Sequence, residues 1–144
     1  VRHAWIVLAA ALAASAGCSS TTDVTPITSQ GTACPSGAAE IAVTDGYVQA
    51  LCGCAESSAT PVTPPAALKC TVPVNTVVVF DYLNGTKLRH QIVPTGAPAF
   101  AASPVSDPGS SSAVRFHAVQ LAAPGSYGFQ DSYDEALNGA LVAQ

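Results

Sequence analysis

The chain has 144 residues, of which 49% are hydrophobic and only 10% charged, and its formal net charge is −4. That is enough for one domain with a real core, and five basic residues against nine acidic ones offer nothing to a phosphate backbone, so no nucleic-acid partner is expected. No Gly-x-Ser-x-Gly, His-Glu-x-x-His or phosphate-loop run is present, and the chain is not read as an enzyme.

Residues 1–17 pair a basic start (Arg2, His3) with an apolar stretch from Ala4 to Ala14 and end in Ser15-Ala16-Gly17, the pattern of a secretory signal too short to span a membrane. Cys18 follows directly and resembles a bacterial lipobox cysteine, which implies lipidation at Cys18 and attachment to a membrane through that lipid. Ser15 departs from the Leu preferred three positions upstream in that motif. Residues 18–33, rich in Ser and Thr, read as a tether, and residues 34–144 as the folded domain. The expected location is a bacterial cell envelope, periplasmic or at the cell surface.

Within the domain, Glu40–Val43 and Tyr47–Leu51 read as strands split by the turn dipeptide Asp45-Gly46. Glu56–Pro65 is a loop. Cys70–Val74 and Thr76–Leu83 are dense in β-branched and aromatic residues, and Val78, Phe80 and Tyr82 share one face by alternation. Asn84-Gly85 closes this run, His90–Val93 is a short strand ended by Pro94, and Thr95–Ser112 is a long irregular connection with room for a strand near Phe100. Val114–Leu121, Ser126–Gln130 and Ala140–Ala143 complete seven or eight strands with no helical period. The pattern predicts a monomeric all-β protein, an antiparallel sandwich or barrel.

Cys34, Cys52, Cys54 and Cys70 form an even set in a chain bound for an oxidising compartment, which predicts two disulfides. A Cys52–Cys54 bridge would be strained, because alternate strand residues point the same way. Two pairings stay open: Cys34 with Cys52 and Cys54 with Cys70, or Cys34 with Cys54 and Cys52 with Cys70. A sharper reading makes Cys52-Gly53-Cys54 a thiolate clamp for Cu(I).

The last third carries the most specific pattern. Pro124-Gly-Ser-Tyr-Gly-Phe129 leads into Asp131, Asp134 and Leu137 at intervals of three and then Gly139-Ala-Leu-Val142. Thr71-Val-Pro-Val-Asn-Thr-Val-Val-Val-Phe80 and His90-Gln-Ile-Val93 precede it. Over about 75 residues this layout resembles a cupredoxin of the plastocyanin or amicyanin kind, which implies a Greek-key β-sandwich of seven or eight strands.

By that resemblance His90 stands at the first copper imidazole, Asp131 at the thiolate, Asp134 at the second imidazole and Leu137 at the axial thioether. Tyr127 stands at the tyrosine corner. A blue-copper centre needs the thiolate and both imidazoles, so the resemblance implies a degenerate site and a noncatalytic binding or accessory module of the envelope, its partner an envelope protein not identified by sequence. The alternative is a metal ion held by His90, Asp131 and Asp134, Cu(II) first and Zn second; the bland reading is that the two acids serve their own turn. Conventional electron transfer would need a cysteine from elsewhere, Cys70 being nearest in sequence. His117, facing opposite to Phe116, reads as an exposed histidine, and Tyr133 as a surface aromatic.

Overall fold

The structure, a computed structural model, describes residues 34–56, 60–83, 85–111 and 113–144. The expected signal, the Cys18 lipidation site and the tether lie outside the described residues, as does Asn84 of the expected turn. Among the described residues eight strands form: β1 (Ala38–Val43), β2 (Val48–Cys52), β3 (Leu68–Val72), β4 (Val77–Tyr82), β5 (Ile92–Thr95), β6 (Phe116–Gln120), β7 (Gly125–Asp131) and β8 (Asn138–Ala143). They make two four-stranded sheets, ordered β2-β1-β4-β6 and β3-β8-β7-β5.

Alternation drives the packing. Ala39, Ile41 and Val43 of β1 and Val78, Phe80 and Tyr82 of β4 point inward from the first sheet, and Tyr127 and Phe129 of β7 with Leu141 and Ala143 of β8 from the second. The rings of Phe80 and Phe129 meet edge to face at 5.1 Å across the interface. The sheets are not purely antiparallel as the pattern suggested. β1 runs parallel to β4 and β3 parallel to β8, because the chain changes sheets between sequential strands and returns to pair with an earlier one.

β5 begins two residues later than expected and passes through Pro94 without breaking. It is an edge strand, paired with β7 alone, so the missing N–H of Pro94 costs no ladder bond. Near Phe100 the described residues hold no strand; that connection is tied down by a bridge between His90 and Ser106. The disulfides are Cys34–Cys52 and Cys54–Cys70, with Cα separations of 5.4 and 4.9 Å. All four cysteines are thereby oxidised, which removes both the Cu(I) clamp and Cys70 as a copper ligand. Gly53, between the two bridges, has φ +79° and lies so close to the Ala38 carbonyl that a Cβ would collide with it. The pair of bridges fits an oxidising, extracytoplasmic compartment.

Candidate functional site

His90 sits just ahead of β5, where its backbone exchanges two hydrogen bonds with Ser106: its N–H donates to the Ser106 carbonyl at 3.0 Å and its carbonyl accepts from the Ser106 N–H at 2.8 Å. The pairing of Ile92 with Asp131 at the end of β7 brings that carboxylate beside the imidazole. Asp131 is fully buried, on the same face of β7 as Tyr127 and Phe129, and its Oδ2 lies 2.5 Å from His90 Nδ1. Its Oδ1 accepts the Gln91 N–H at 3.1 Å and the Tyr133 N–H at 2.9 Å, which fixes the turn that follows β7. The other imidazole nitrogen, Nε2, lies 3.1 Å from Oδ1 of Asp45. Asp45 belongs to the β1–β2 turn and is itself held by the N–H groups of Lys87 and Leu88. Tyr82 lies nearly parallel to the imidazole at 6.2 Å, and its hydroxyl donates to Ser103 Oγ at 2.7 Å.

A buried imidazole between two carboxylates satisfies both acceptors only as the imidazolium, with an N–H toward each. Burial by itself would push its pKa down, but the hydrogen bonds to Asp131 and Asp45, together with their charges, outweigh it and raise the value above the usual histidine range. Burial likewise works against the Asp45 carboxylate, and the two backbone N–H groups and His90 overcome it and lower its pKa. The result is an ion triad, Asp131–His90–Asp45, with only its Asp45 end reaching solvent.

The structure thus joins His90 and Asp131 directly. Asp134 lines a pocket that His90 and Asp45 also border, but its Oδ1 accepts the N–H of Ala136 at 3.2 Å and its carbonyl accepts that of Leu137, the work of a turn acid. Leu137 is buried and packs in the core. Donor chemistry decides whether these residues fit a blue-copper centre. Among the described residues no thiolate is present, Leu137 has no lone pair, and both imidazole nitrogens are engaged by carboxylates. The set does not fit such a centre. Among the described residues no group of three or more His, Cys, Asp and Glu side chains converges as a metal site.

Asp45 was not singled out from the sequence. Its only local signal is an Asp-Gly turn, and its partner is 45 residues away. Beyond the triad opens a pocket of about 400 Å³ lined also by Lys87, Leu88, Arg89, Asp107, Tyr133 and Asp134. Arg89 is neutralised by Asp107 at 2.8 Å, while Leu88 and Tyr133 stand exposed at the rim. His117 is half-buried, its Nε2 3.0 Å from the Ala101 carbonyl. Tyr127 donates its hydroxyl to the Ala123 carbonyl at 2.8 Å, as a tyrosine corner does.

No family model and no curated protein sequence matches the chain. Solved structures do. A methionine-to-alanine mutant of amicyanin in the Cu(I) state is 11% identical, with a TM-score of 0.50 over 77% of this chain and 86% of that one. A purple cupredoxin from Nitrosopumilus maritimus is 18% identical over 74% of this chain and 99% of that one, with a TM-score of 0.49. Amicyanin from Paracoccus versutus is 14% identical over 77% and 85%, with a TM-score of 0.46. At these identities the likeness speaks to the fold alone. Eight strands in two four-stranded sheets, closed over a core of alternating residues, give this chain a cupredoxin-like sandwich.

Proposed function

We propose that this protein is an exported, noncatalytic binding module of the cell envelope, anchored by lipid at Cys18, in which an ion triad stands where a cupredoxin would hold copper. The supporting observation is that both ring nitrogens of His90 are hydrogen-bonded to carboxylates. A metal would have to remove a proton from the imidazolium and displace at least one of these bonds. The triad instead acts as a strut: it ties the β1–β2 turn, the start of β5 and the turn after β7 into one rigid floor. Above that floor lies the half-open pocket, with Leu88 and Tyr133 as an apolar rim and ion-paired Arg89 beside it. A preformed concave surface with few free charges suits recognition better than chemistry.

Calorimetric titration of the disulfide-intact protein with Cu(II) and with Zn, at pH 7, tests this. The expected result is no saturable one-site binding to wild type. Saturable binding that is abolished in both His90→Ala and Asp134→Ala would overturn the proposal in favour of a metal held by His90, Asp131 and Asp134. An intense blue band on adding Cu(II) would overturn it too, because that colour requires a sulfur ligand.

A further inference from the structure

A second cluster of buried ionisable groups lies on the opposite face of the first sheet, away from the triad. Glu40 on β1 alternates with the core residues Ala39 and Ile41 and so points outward, and Asp81 on β4 does the same between Phe80 and Tyr82. The parallel register pairs Glu40 with Val79 and Ala42 with Asp81, which sets the two acids diagonally on one face of neighbouring strands. Both are buried, Glu40 to 4% exposure and Asp81 to 0%. Glu40 Oε1 and Asp81 Oδ2 have no hydrogen-bond partner. Isolated acids on the outer face of a sheet ordinarily face water; two shut in together are costly unless protonated or paired.

The surrounding charges are few. Arg115, just ahead of β6, reaches Asp81 Oδ1 with its Nε at 3.5 Å, while its guanidinium lies over the Phe116 ring at 5.2 Å. From β2 the same face receives Gln49, which is uncharged, and from β6 Phe116, opposite Asp81. The charged groups acting on Glu40 are Asp81 and Arg115, and those acting on Asp81 are Arg115 and Glu40. One cation and two carboxyls balance only if the pair keeps one proton. With it the cluster is neutral; without it a net negative charge sits in a water-poor place between two orphaned oxygens.

We propose that Glu40 and Asp81 share one proton and form a pH-sensitive latch over the outer face of the first sheet, tight in mild acid and loosened toward neutral pH. Burial first, then the charge of Asp81, raises the pKa of Glu40 to about 7 against the pull of Arg115. Burial also raises that of Asp81, with Arg115 opposing. In an opened state Glu40 titrates near its ordinary value of 4.5. The closed state is therefore favoured below that value, loses ground as pH rises to about 7, and loses no more beyond it. The element that loosens is the entry to β6, because the Tyr82 N–H donates to the Arg115 carbonyl at 2.9 Å and Phe116 lies against Asp81.

Two NMR measurements on the disulfide-intact protein test the latch. In a carbon-detected titration of the side-chain carboxyls, Glu40 is expected to titrate near pH 7, and an ordinary midpoint near 4.5 would overturn the proposal. Hydrogen exchange at the Tyr82 amide, corrected for its intrinsic rate, is expected to show an opening constant that rises between pH 4.5 and 7. The ceiling is about 300-fold, the ratio set by 4.5 and about 7. Glu40→Gln keeps the shape of the protonated acid and should abolish that rise; a rise that persists in it would overturn the latch. Arg115→Gln should move the Glu40 midpoint higher, and an unmoved midpoint would count equally against it.

Discussion

Replacing Asp131 tests the triad most directly. Asp131→Ala removes the Oδ2 contact to His90 and the Oδ1 acceptor shared by the Gln91 and Tyr133 N–H groups. His90 is 1% exposed and Asp131 0%, so bulk solvent does not make good the lost partner. Breaking one side of a buried ion pair costs about 3 to 5 kcal/mol. Asp131→Asn keeps an oxygen for the two backbone donors but presents an amide N–H to His90 Nδ1. The ring must then give up that proton and accept there, keeping its remaining N–H for Asp45. A charge-assisted bond becomes a neutral one, a loss of about 1 to 2 kcal/mol.

The pH profile separates this mechanism from a mere packing defect. His90 has a raised folded pKa, so its contribution is fully present below its unfolded value and is lost as pH rises through the raised folded one. Asp45 has a lowered one, so its contribution is present above its ordinary value and lost as pH falls through the lowered folded value. Urea unfolding from about pH 4 to 9 should therefore show wild type and Asp131→Asn converging on the alkaline side. The Glu40 effect, common to both proteins, cancels in the difference. A constant gap across that range, or an Asp131→Ala variant within about 0.5 kcal/mol of wild type, the size of an ordinary surface change, would refute the triad.

The two disulfides close loops of similar length, with sequence separations of 18 and 16. Removing either as a Ser pair (Cys34 with Cys52, or Cys54 with Cys70) should cost about 3 kcal/mol by loop entropy, near-equally, in denaturant unfolding; a cost confined to one bridge would show that strain or residual structure dominates. Tyr127→Phe removes the hydroxyl bonded to Ala123, whose surroundings are open to water. It should cost about 0.5 to 1.5 kcal/mol, measured by thermal and urea unfolding.

The strands were legible where alternation was clean. Val78, Phe80 and Tyr82 announced β4, because a two-sided strand with one buried face writes its period into the sequence. The nearness of His90 to Asp131 was legible only through the resemblance, since no local rule joins residues 41 apart. Asp45 and Glu40 were not legible. An Asp before Gly reads as a turn whatever else its carboxylate reaches, and a lone Glu on a strand reads as a solvent-facing position. Both are decided by which turn or strand lies alongside, and that is fixed by the parallel pairing of β1 with β4 and by the packing of the loop before β5. Pro94 misled for the opposite reason: its effect depends on whether the strand is an edge, which one strand's sequence does not state.

The position of the triad relative to the chain's point of entry bears on what the module can meet. Cys34 bonds Cys52 at one end of the β1–β2 hairpin, and the turn carrying Asp45 closes the other end. Six residues of β1 at about 3.3 Å per step separate the ends by roughly 17 Å. On the proposed anchoring at Cys18, the lipid joins the domain at the pole opposite the His90 pocket, through residues that span up to about 3.5 Å each. A tether of that reach exceeds the roughly 17 Å between the ends, so the rim of Leu88 and Tyr133 is free to face away from the bilayer toward a partner. Hydroxyl-radical footprinting of lipidated protein on vesicles, compared with soluble Cys18→Ala, should oxidise Tyr133 at the same rate in both. Protection of Tyr133 on vesicles alone would mean that this pole faces lipid, and the pocket would then have to be understood as a membrane contact.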